Sequence, residues 1–577
     1  MNSNHRTYVS NILVIGSGAA GMRAAIAGHE AGKDTVIVGK RTRRDAHTVL
    51  AAGGINAALG TVDPEDSWQQ HFVDTLKEGY FLSDPRTVEL MAREAPTAIE
   101  ELVAYGVDFA KTPDGEIDQR YFGAHKYRRT AYVGDSTGRA VLYGLADRVE
   151  ELDIPIHENQ YVSRLLVKDG VCFGAMSFNL LSGERTVYLA DAVVLAAGGH
   201  TRLWRRSSSR ALENTGDGMY LALAAGGEIA DMELVQFHPT GMVAPESMLG
   251  TLVTEAVRGE GGRLYNADGE RYMGRYDAER MELSTRDRVA LANYTEIQEG
   301  RGGPNGGVFL DISHRSLDYI MEKLPRMYQQ FMDAQNIDIS KEPMEVAPTA
   351  HYTMGGVVVE PDTHATSIAG LYAAGETTSG LHGANRLGGN SLAETVVFGR
   401  RAGEAAVAFS QNLGAQVRAN DVVRIAHDDL NNIVRTGTES AIDLLQTLRN
   451  VMWETCGVVR TEEKMQYGLE RMEDLKVALT RANVSTEMEL AQALDLRASI
   501  VSAEATLRGA IERRESRGAH QRTDYPDVDD NLNVNFVTRF DENSNQVIST
   551  QSVPPVPNSL LEWLTEEEFE IEGRLLE

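Results

Sequence analysis

Ile12-Leu13-Val14-Ile15-Gly16-Ser17-Gly18-Ala19-Ala20-Gly21 is the stretch that decides the fold. Four apolar residues read as a short buried strand. They run into a Gly-x-Gly-x-x-Gly turn and an alanine-rich helix that ends near Gly32, and a second strand is expected over Thr35 to Val38. This is the βαβ opening of a dinucleotide-binding fold. Gly16, Gly18 and Gly21 permit the tight turn and close backbone approach, and the helix start at Ala19 and Ala20 offers N–H groups to a pyrophosphate. The second strand ends in Gly39-Lys40 rather than in the acidic residue that often holds an adenosine ribose. That departure weakens an NAD reading and leaves the ribose contact unassigned.

Working outward, the strand-like Ala192 to Ala197 before Gly198-Gly199, and Gly370 to Ala374 before Gly375-Glu376, are expected to complete the sheet from distant parts of the chain. The expected architecture is therefore α/β. A Rossmann-like dinucleotide-binding domain takes residues 1–231 and 345–420, interrupted by an inserted α+β capping domain over 232–344. From about Asp421 amphipathic helices take over. Thr461 before Glu462-Glu463 marks a helix start, and Leu490, Leu494, Ile500 and Leu507 recur at roughly helical spacing, so 421–525 reads as a helical domain. After Tyr525-Pro526 the chain reads as polar and irregular, and residues 526–577 end in an acidic tail.

At 577 residues the chain is too long for one core. Its 56 basic and 84 acidic residues give a net charge of −28, which disfavours a nucleic-acid or anionic-membrane surface. Any anion site must then be argued locally. Cys172 and Cys456 stand far apart in no metal spacing, so neither a disulfide framework nor an iron–sulfur or other metal site is expected in this chain. Met1 to Ser10 lacks the apolar core of a secretory signal, and no run of about 18 apolar residues suggests a membrane span.

Several segments carry chemistry. His47 stands in Arg44-Asp45-Ala46-His47-Thr48, ahead of Gly53-Gly54, in a loop that would follow the second strand. His238 lies in Gln236-Phe237-His238-Pro239-Thr240-Gly241, and His351 in Pro348-Thr349-Ala350-His351-Tyr352-Thr353-Met354-Gly355-Gly356; both segments read as glycine- and proline-marked loops. Alone, each would be an ordinary turn histidine. Glu255 and Arg258 sit three apart, on one face if Thr251 to Gly262 is helical, where the plainest reading is a surface ion pair. Arg286 follows in Ser284-Thr285-Arg286-Asp287-Arg288. Three glycines flank Arg386 in His382-Gly383-Ala384-Asn385-Arg386-Leu387-Gly388-Gly389-Asn390-Ser391-Leu392-Ala393-Glu394, a density that suits backbone closing on a ligand while a guanidinium grips a carboxylate.

Taken in order over residues 10 to 525, these segments resemble the flavoprotein subunits of succinate dehydrogenases and fumarate reductases. The resemblance implies hydride transfer between a four-carbon dicarboxylate and FAD bound covalently through His47 to its 8α-methyl. It implies that His238, Thr254, His351 and Arg386 clamp the two carboxylates, that Arg286 exchanges the substrate proton, and that Glu255 and Arg258 relay it to solvent. Glu376 would hold a ribitol or ribose, and the amides near Ser391 and Leu392 would face the pyrimidine edge. Lys40, Thr48, Gly53, Gly54, Ala197, Gly198 and Asp217 are further expected cofactor contacts. The motif Arg513 to Arg522 reads as a charged network tying the helical region to the flavin domain.

A rival with the same fold is L-aspartate oxidase, which lacks the covalent histidine and carries a glutamate for the substrate ammonium where this chain has Phe122. A non-catalytic flavin-binding protein is the third reading, and it predicts an incomplete clamp. The resemblance further implies a separate iron–sulfur subunit, with a membrane anchor beyond it, which would place this flavoprotein peripherally at the cytoplasmic face of the inner or plasma membrane.

Overall fold

The computed structural model describes residues 5–564. Its largest sheet is built on strand Arg6–Ile15, which runs parallel to Thr35–Val38 on one side and to Arg185–Leu195 on the other. Leu371–Ala373 adds a parallel strand beside Val193 to Leu195, so a segment some 180 residues downstream does complete the sheet. An antiparallel extension, Gln160–Lys168 and Val171–Asn179, follows on from Arg185–Leu195. Ile12, Leu13 and Val14 are fully buried, as a strand covered on both faces requires.

Helix Ala19–Glu30 follows the first strand after a turn only glycine allows. Gly16 has φ +122°, and a Cβ there would lie 2.0 Å from the Ala196 carbonyl oxygen; one on Gly21 would lie 1.9 Å from the Gly16 oxygen. The turn therefore draws the helix start against the end of strand Arg185–Leu195. Long helix Asn390–Asn412 packs across Ala19–Glu30 and shares its apolar core.

The inserted region carries an antiparallel sheet in the order Val235–Met242, Met344–Thr353, Val308–Asp311, Arg263–Tyr265. Two corrections arise here. The expected boundary at 344/345 cuts through the buried strand Met344–Thr353. In addition, the segments holding His238 and His351 are paired strands rather than loops, with Phe237 opposite Ala350 and His238 opposite Thr349. Prolines 239 and 348 suggested loops because proline cannot donate to a ladder, but both fall at a register shift between His238 and Gly241, where the ladder is already interrupted.

Helices Asn420–Ile433, Ala441–Thr455, Glu462–Leu479 and Glu487–Glu512 follow. Thr461 caps the third by accepting from the Lys464 N–H, and Thr486 with Glu489 forms a reciprocal capping box on the fourth. The region after Pro526 is not irregular throughout: Val534–Phe540 and Gln546–Ser552 form a hairpin, and its first strand pairs with Ile229–Ala230. The inner strand is buried on both faces at Phe536, Val537 and Thr538, whereas the Ser- and Gln-containing outer strand is largely exposed beyond Gln546 and gives no apolar alternation to read. The acidic end, residues 565–577, lies outside the described residues. No helix among the described residues is long and apolar enough to cross a membrane.

Candidate active site

One long cleft runs along the carboxyl ends of the parallel strands and into the inserted region. It is lined by Gly16, Gly18, Ala19, Ala20, Lys40, His47, Thr48, Gly53, Gly54, Phe122, Ala197, Gly198, Asp217, His238, Thr254, Glu255, Arg286, His351, Glu376, Arg386, Ser391 and Leu392. Two of the residues singled out from the sequence stand off it. Gly21 packs on the Gly16 backbone, and Arg258 lies behind Glu255 with its Nη1 donating 2.6 Å to the Glu282 carbonyl. The cleft sits where the dinucleotide-binding architecture places its ligand, at the ends of the strands beside a helix start.

Its chemistry changes along its length, and the change fits a flavin dinucleotide. At one end Lys40 forms a pair with Asp217 at 3.0 Å and stands 3.7 Å from Asp495, so the cation that replaces the usual acid is itself neutralised within the fold. The middle is glycine and alanine, with Gly18 open to the cleft: a Cβ there would meet only Thr48 Oγ1, at 3.4 Å. Beyond it, His47 Nδ1 lies 3.1 Å from Glu213 Oε2, and Glu213 also accepts from Arg210. This carboxylate and its hydrogen bond raise the His47 pKa against the opposing effect of burial. Because Glu213 occupies Nδ1, the free ring edge is Nε2. Glu376 is half-buried in the same cleft, accepting from the Thr353 N–H at 3.2 Å, and desolvation pushes its carboxyl up to about 7.

The far end is dry and cationic. Arg286 reaches Glu255 through two nitrogens, Nε at 2.7 Å and Nη2 at 2.6 Å. Its remaining Nη1 donates to Gln236 Oε1 at 3.1 Å, and Arg386 Nη2 donates to the same oxygen at 3.0 Å. One glutamine oxygen thus sets the spacing of two guanidiniums. Against the burial that would raise it, the charges of Arg286 and Arg258 and the Gly123 N–H hold the Glu255 carboxylate down to about 2. Glu255 and Arg258 are buried, so they do not form a surface pair; their closest approach is 3.9 Å.

Arg386 lies 4.5 Å from the Tyr352 ring centre, donates to Ser391 Oγ at 3.3 Å, and leaves its buried Nε without a partner among the described residues. Burial beside Arg286 pulls its pKa down to about 9. His238 and His351 stand edge to face, 5.2 Å apart, and burial with the surrounding arginines keeps both well below the usual histidine range. His351 Nδ1 is held 3.0 Å from Ser208 Oγ, and His238 Nδ1 lies against the Thr240 backbone. Two neutral imidazoles and two guanidiniums therefore face one space with a single carboxylate, Glu255. Phe122 closes the side of that space: a Cβ on Gly53 would come within 2.6 Å of its ring. The Phe122 side chain itself offers no carboxylate to an ammonium.

Reading the sequence alone missed three members. Gln236 was visible beside His238, but nothing local shows that it bridges arginines 50 and 150 residues away. Glu213 and Ser208, which orient His47 and His351, join the site across 166 and 143 residues and belong to no recognisable motif.

Two family models cover most of the chain: an FAD binding domain over residues 11–392 and a fumarate reductase flavoprotein C-terminal segment over residues 445–560. A fumarate reductase (CoM/CoB) chain of Methanothermobacter marburgensis is 43% identical over 526 residues, spanning 90% of this chain and 95% of that one. The succinate dehydrogenase flavoprotein subunit of Rickettsia bellii is 36% identical over 549 residues, spanning 90% and 91%. Among solved structures, Mycobacterium smegmatis Sdh1 in complex with UQ1 superposes with a TM-score of 0.88 at 39% identity, covering 98% of each chain.

Proposed function

Because the chain belongs to the succinate dehydrogenase and fumarate reductase flavoprotein family, we propose that its cleft interconverts succinate and fumarate beside FAD held covalently by His47. The observation that carries this reading is the shared fork, Gln236 Oε1 accepting from both Arg286 and Arg386 at the dry end of a dinucleotide cleft. FAD, when bound, supplies the two-electron hydride chemistry. His238, Thr254, His351 and Arg386 grip the two carboxylates, with the neutral imidazoles donating hydrogen bonds and Arg386 supplying charge. Its free Nε and low pKa describe a cation that a carboxylate would satisfy.

Arg286 gives or takes the proton at one methylene carbon. A guanidinium has little tendency to give up its proton, so the proton must be replaced as it leaves, and Glu255 at 2.6 Å with Arg258 behind it provides the route. Holding the carbon–carbon bond in place is the larger contribution, because a gripped dianion has lost the freedom that opposes reaction. Electrons leave to a separate iron–sulfur subunit joined to a membrane anchor, with this chain docked peripherally at the cytoplasmic face of the membrane.

Paired assays test the reading: succinate with an artificial acceptor, and fumarate with a reduced dye. Both should turn over, and flavin should stay with the acid-precipitated polypeptide in the wild type but be released from His47→Ser. Flavin released from the wild type, together with aspartate-driven peroxide formation, would replace this reading with the oxidase. Phe122 argues against that outcome, since it leaves an ammonium unpaired. Isolation of the chain alone with rapid electron transfer to a quinone would remove the iron–sulfur partner.

A further inference from the structure

Behind the fork lies a second buried cluster that the proposed chemistry does not use. Gln236 Nε2 donates to Asn385 Oδ1 at 2.8 Å, and the Asn385 amide donates in turn to Glu78 Oε1 at 2.7 Å and to Asp287 Oδ1 at 2.9 Å. Tyr80 completes the cluster, its hydroxyl donating to Asp287 Oδ2 at 2.8 Å. With both amide hydrogens committed to carboxyl oxygens, Asn385 must present its own oxygen to Gln236. Together with the Arg386 carbonyl, to which Gln236 Nε2 also donates at 2.9 Å, that fixes the Gln236 amide with its oxygen toward the two arginines.

Glu78 is the last residue of helix Trp68–Glu78, and the backbone beyond it is locked to the Arg386 loop. The Ala384 N–H donates to the Gly79 carbonyl at 2.9 Å. A Cβ on Gly383 would lie 2.3 Å from that same oxygen, so the two segments meet with no room for a side chain. The Glu78 carboxyl is therefore carried into the site by rigid backbone.

We propose that Glu78 is a positioning residue for the dicarboxylate clamp, setting the spacing of Arg286 and Arg386 through Asn385 and Gln236. It touches neither substrate nor reacting atoms. Burial beside Asp287 raises its pKa well above the usual carboxyl range, against the opposing charges of Arg286 and Arg280. What the geometry asks of Glu78 is an acceptor oxygen for the Asn385 amide. An amide oxygen can fill that role, so a glutamine should replace Glu78 whereas an apolar residue of similar size should not.

The inference rests on the dicarboxylate reading of the site, and the experiment separates the two. Initial rates over a range of fumarate and succinate concentrations are measured for the wild-type complex, Glu78→Gln and Glu78→Leu, with flavin content and Tm recorded for each. E78Q should keep KM within threefold of wild type. In E78L, the Asn385 amide is held by Asp287 alone and its grip on Gln236 loosens, so KM should rise tenfold or more while flavin content stays full. Wild type without turnover of either acid defeats the functional reading itself. Turnover by wild type with an unchanged KM in E78L overturns this inference, as does a KM in E78Q raised as far as in E78L. A lower Tm or a smaller active fraction at unchanged KM would show Glu78 to be structural only. Should E78L fail to accumulate, Asn385→Asp, which removes the amide hydrogens, must raise KM by the same measure for the inference to stand.

Discussion

Two buried arginine clusters in this molecule look alike in the sequence and differ in what their nitrogens do. In the motif near the end of the helical region, Arg513 spends every N–H. Nε goes to Glu233 at 2.8 Å, Nη1 to Glu515 and the Leu532 carbonyl, and Nη2 to Asp231 and the Val534 carbonyl. Arg517 likewise grips Glu515 through Nε and Nη2, both at 2.9 Å, and its Nη1 reaches the Tyr80 carbonyl. In the cleft, Arg386 has no carboxylate within ion-pair distance and a buried Nε with no partner among the described residues. Arg513 holds elements together, whereas Arg386, buried against the cleft with a nitrogen to spare, is placed for an anion that the fold does not supply. The first cluster is an answered demand and the second an open one.

The sharpest way to break the comparison is at Arg286, which belongs to the open cluster yet is itself bound to Glu255. Replacing it with glutamine should lower kcat by about ten-thousand-fold, the upper range for a positioned acid–base group, while flavin stays bound. Retained turnover would take Arg286 out of the proton path. Next in size is Arg513→Met. It leaves Asp231 and Glu233 without their cation in a buried site, while Glu515 keeps Arg517, and should cost about 3–5 kcal/mol of stability, read as a drop in Tm or in denaturant midpoint. The folded fraction should keep its kcat/KM. A large loss of activity per folded molecule would mean that the saturated cluster also serves the chemistry.

The same contrast explains how much could be read from sequence. The opening fingerprint, the glycine-flanked Arg386 and the histidine motifs announced themselves because ligand sites concentrate residue types that folding alone does not favour in such density. The Arg513 motif is legible as a network because four arginines and a histidine crowd around Glu515 within ten residues. What stayed hidden is tertiary in origin. Gln236 matters only because Arg286 and Arg386 arrive from elsewhere. Strands Val235–Met242 and Met344–Thr353 were read as loops because their prolines sit at a ladder interruption that neither strand reveals alone. The hairpin after Val534 escaped because its outer strand faces water and carries no apolar alternation.

The finest test asks whether the open cation needs only charge or also shape. Arg386→Lys keeps one positive charge, but a single ammonium cannot hold Gln236, Ser391 and a substrate carboxylate in one plane. One or two charge-assisted hydrogen bonds should be lost, and KM for succinate and fumarate should rise about 10- to 100-fold, each tenfold step being ~1.4 kcal/mol. The effect on kcat should be smaller, because Arg286 and its path through Glu255 are untouched. Stability should barely change, since Arg386, unlike Arg513, leaves no carboxylate stranded when it goes. An equal loss of Tm in R386K and Arg513→Met would erase the distinction between the two clusters: the spare nitrogen would then be an imperfection of packing, and the cleft would have to find its anion-binding charge elsewhere.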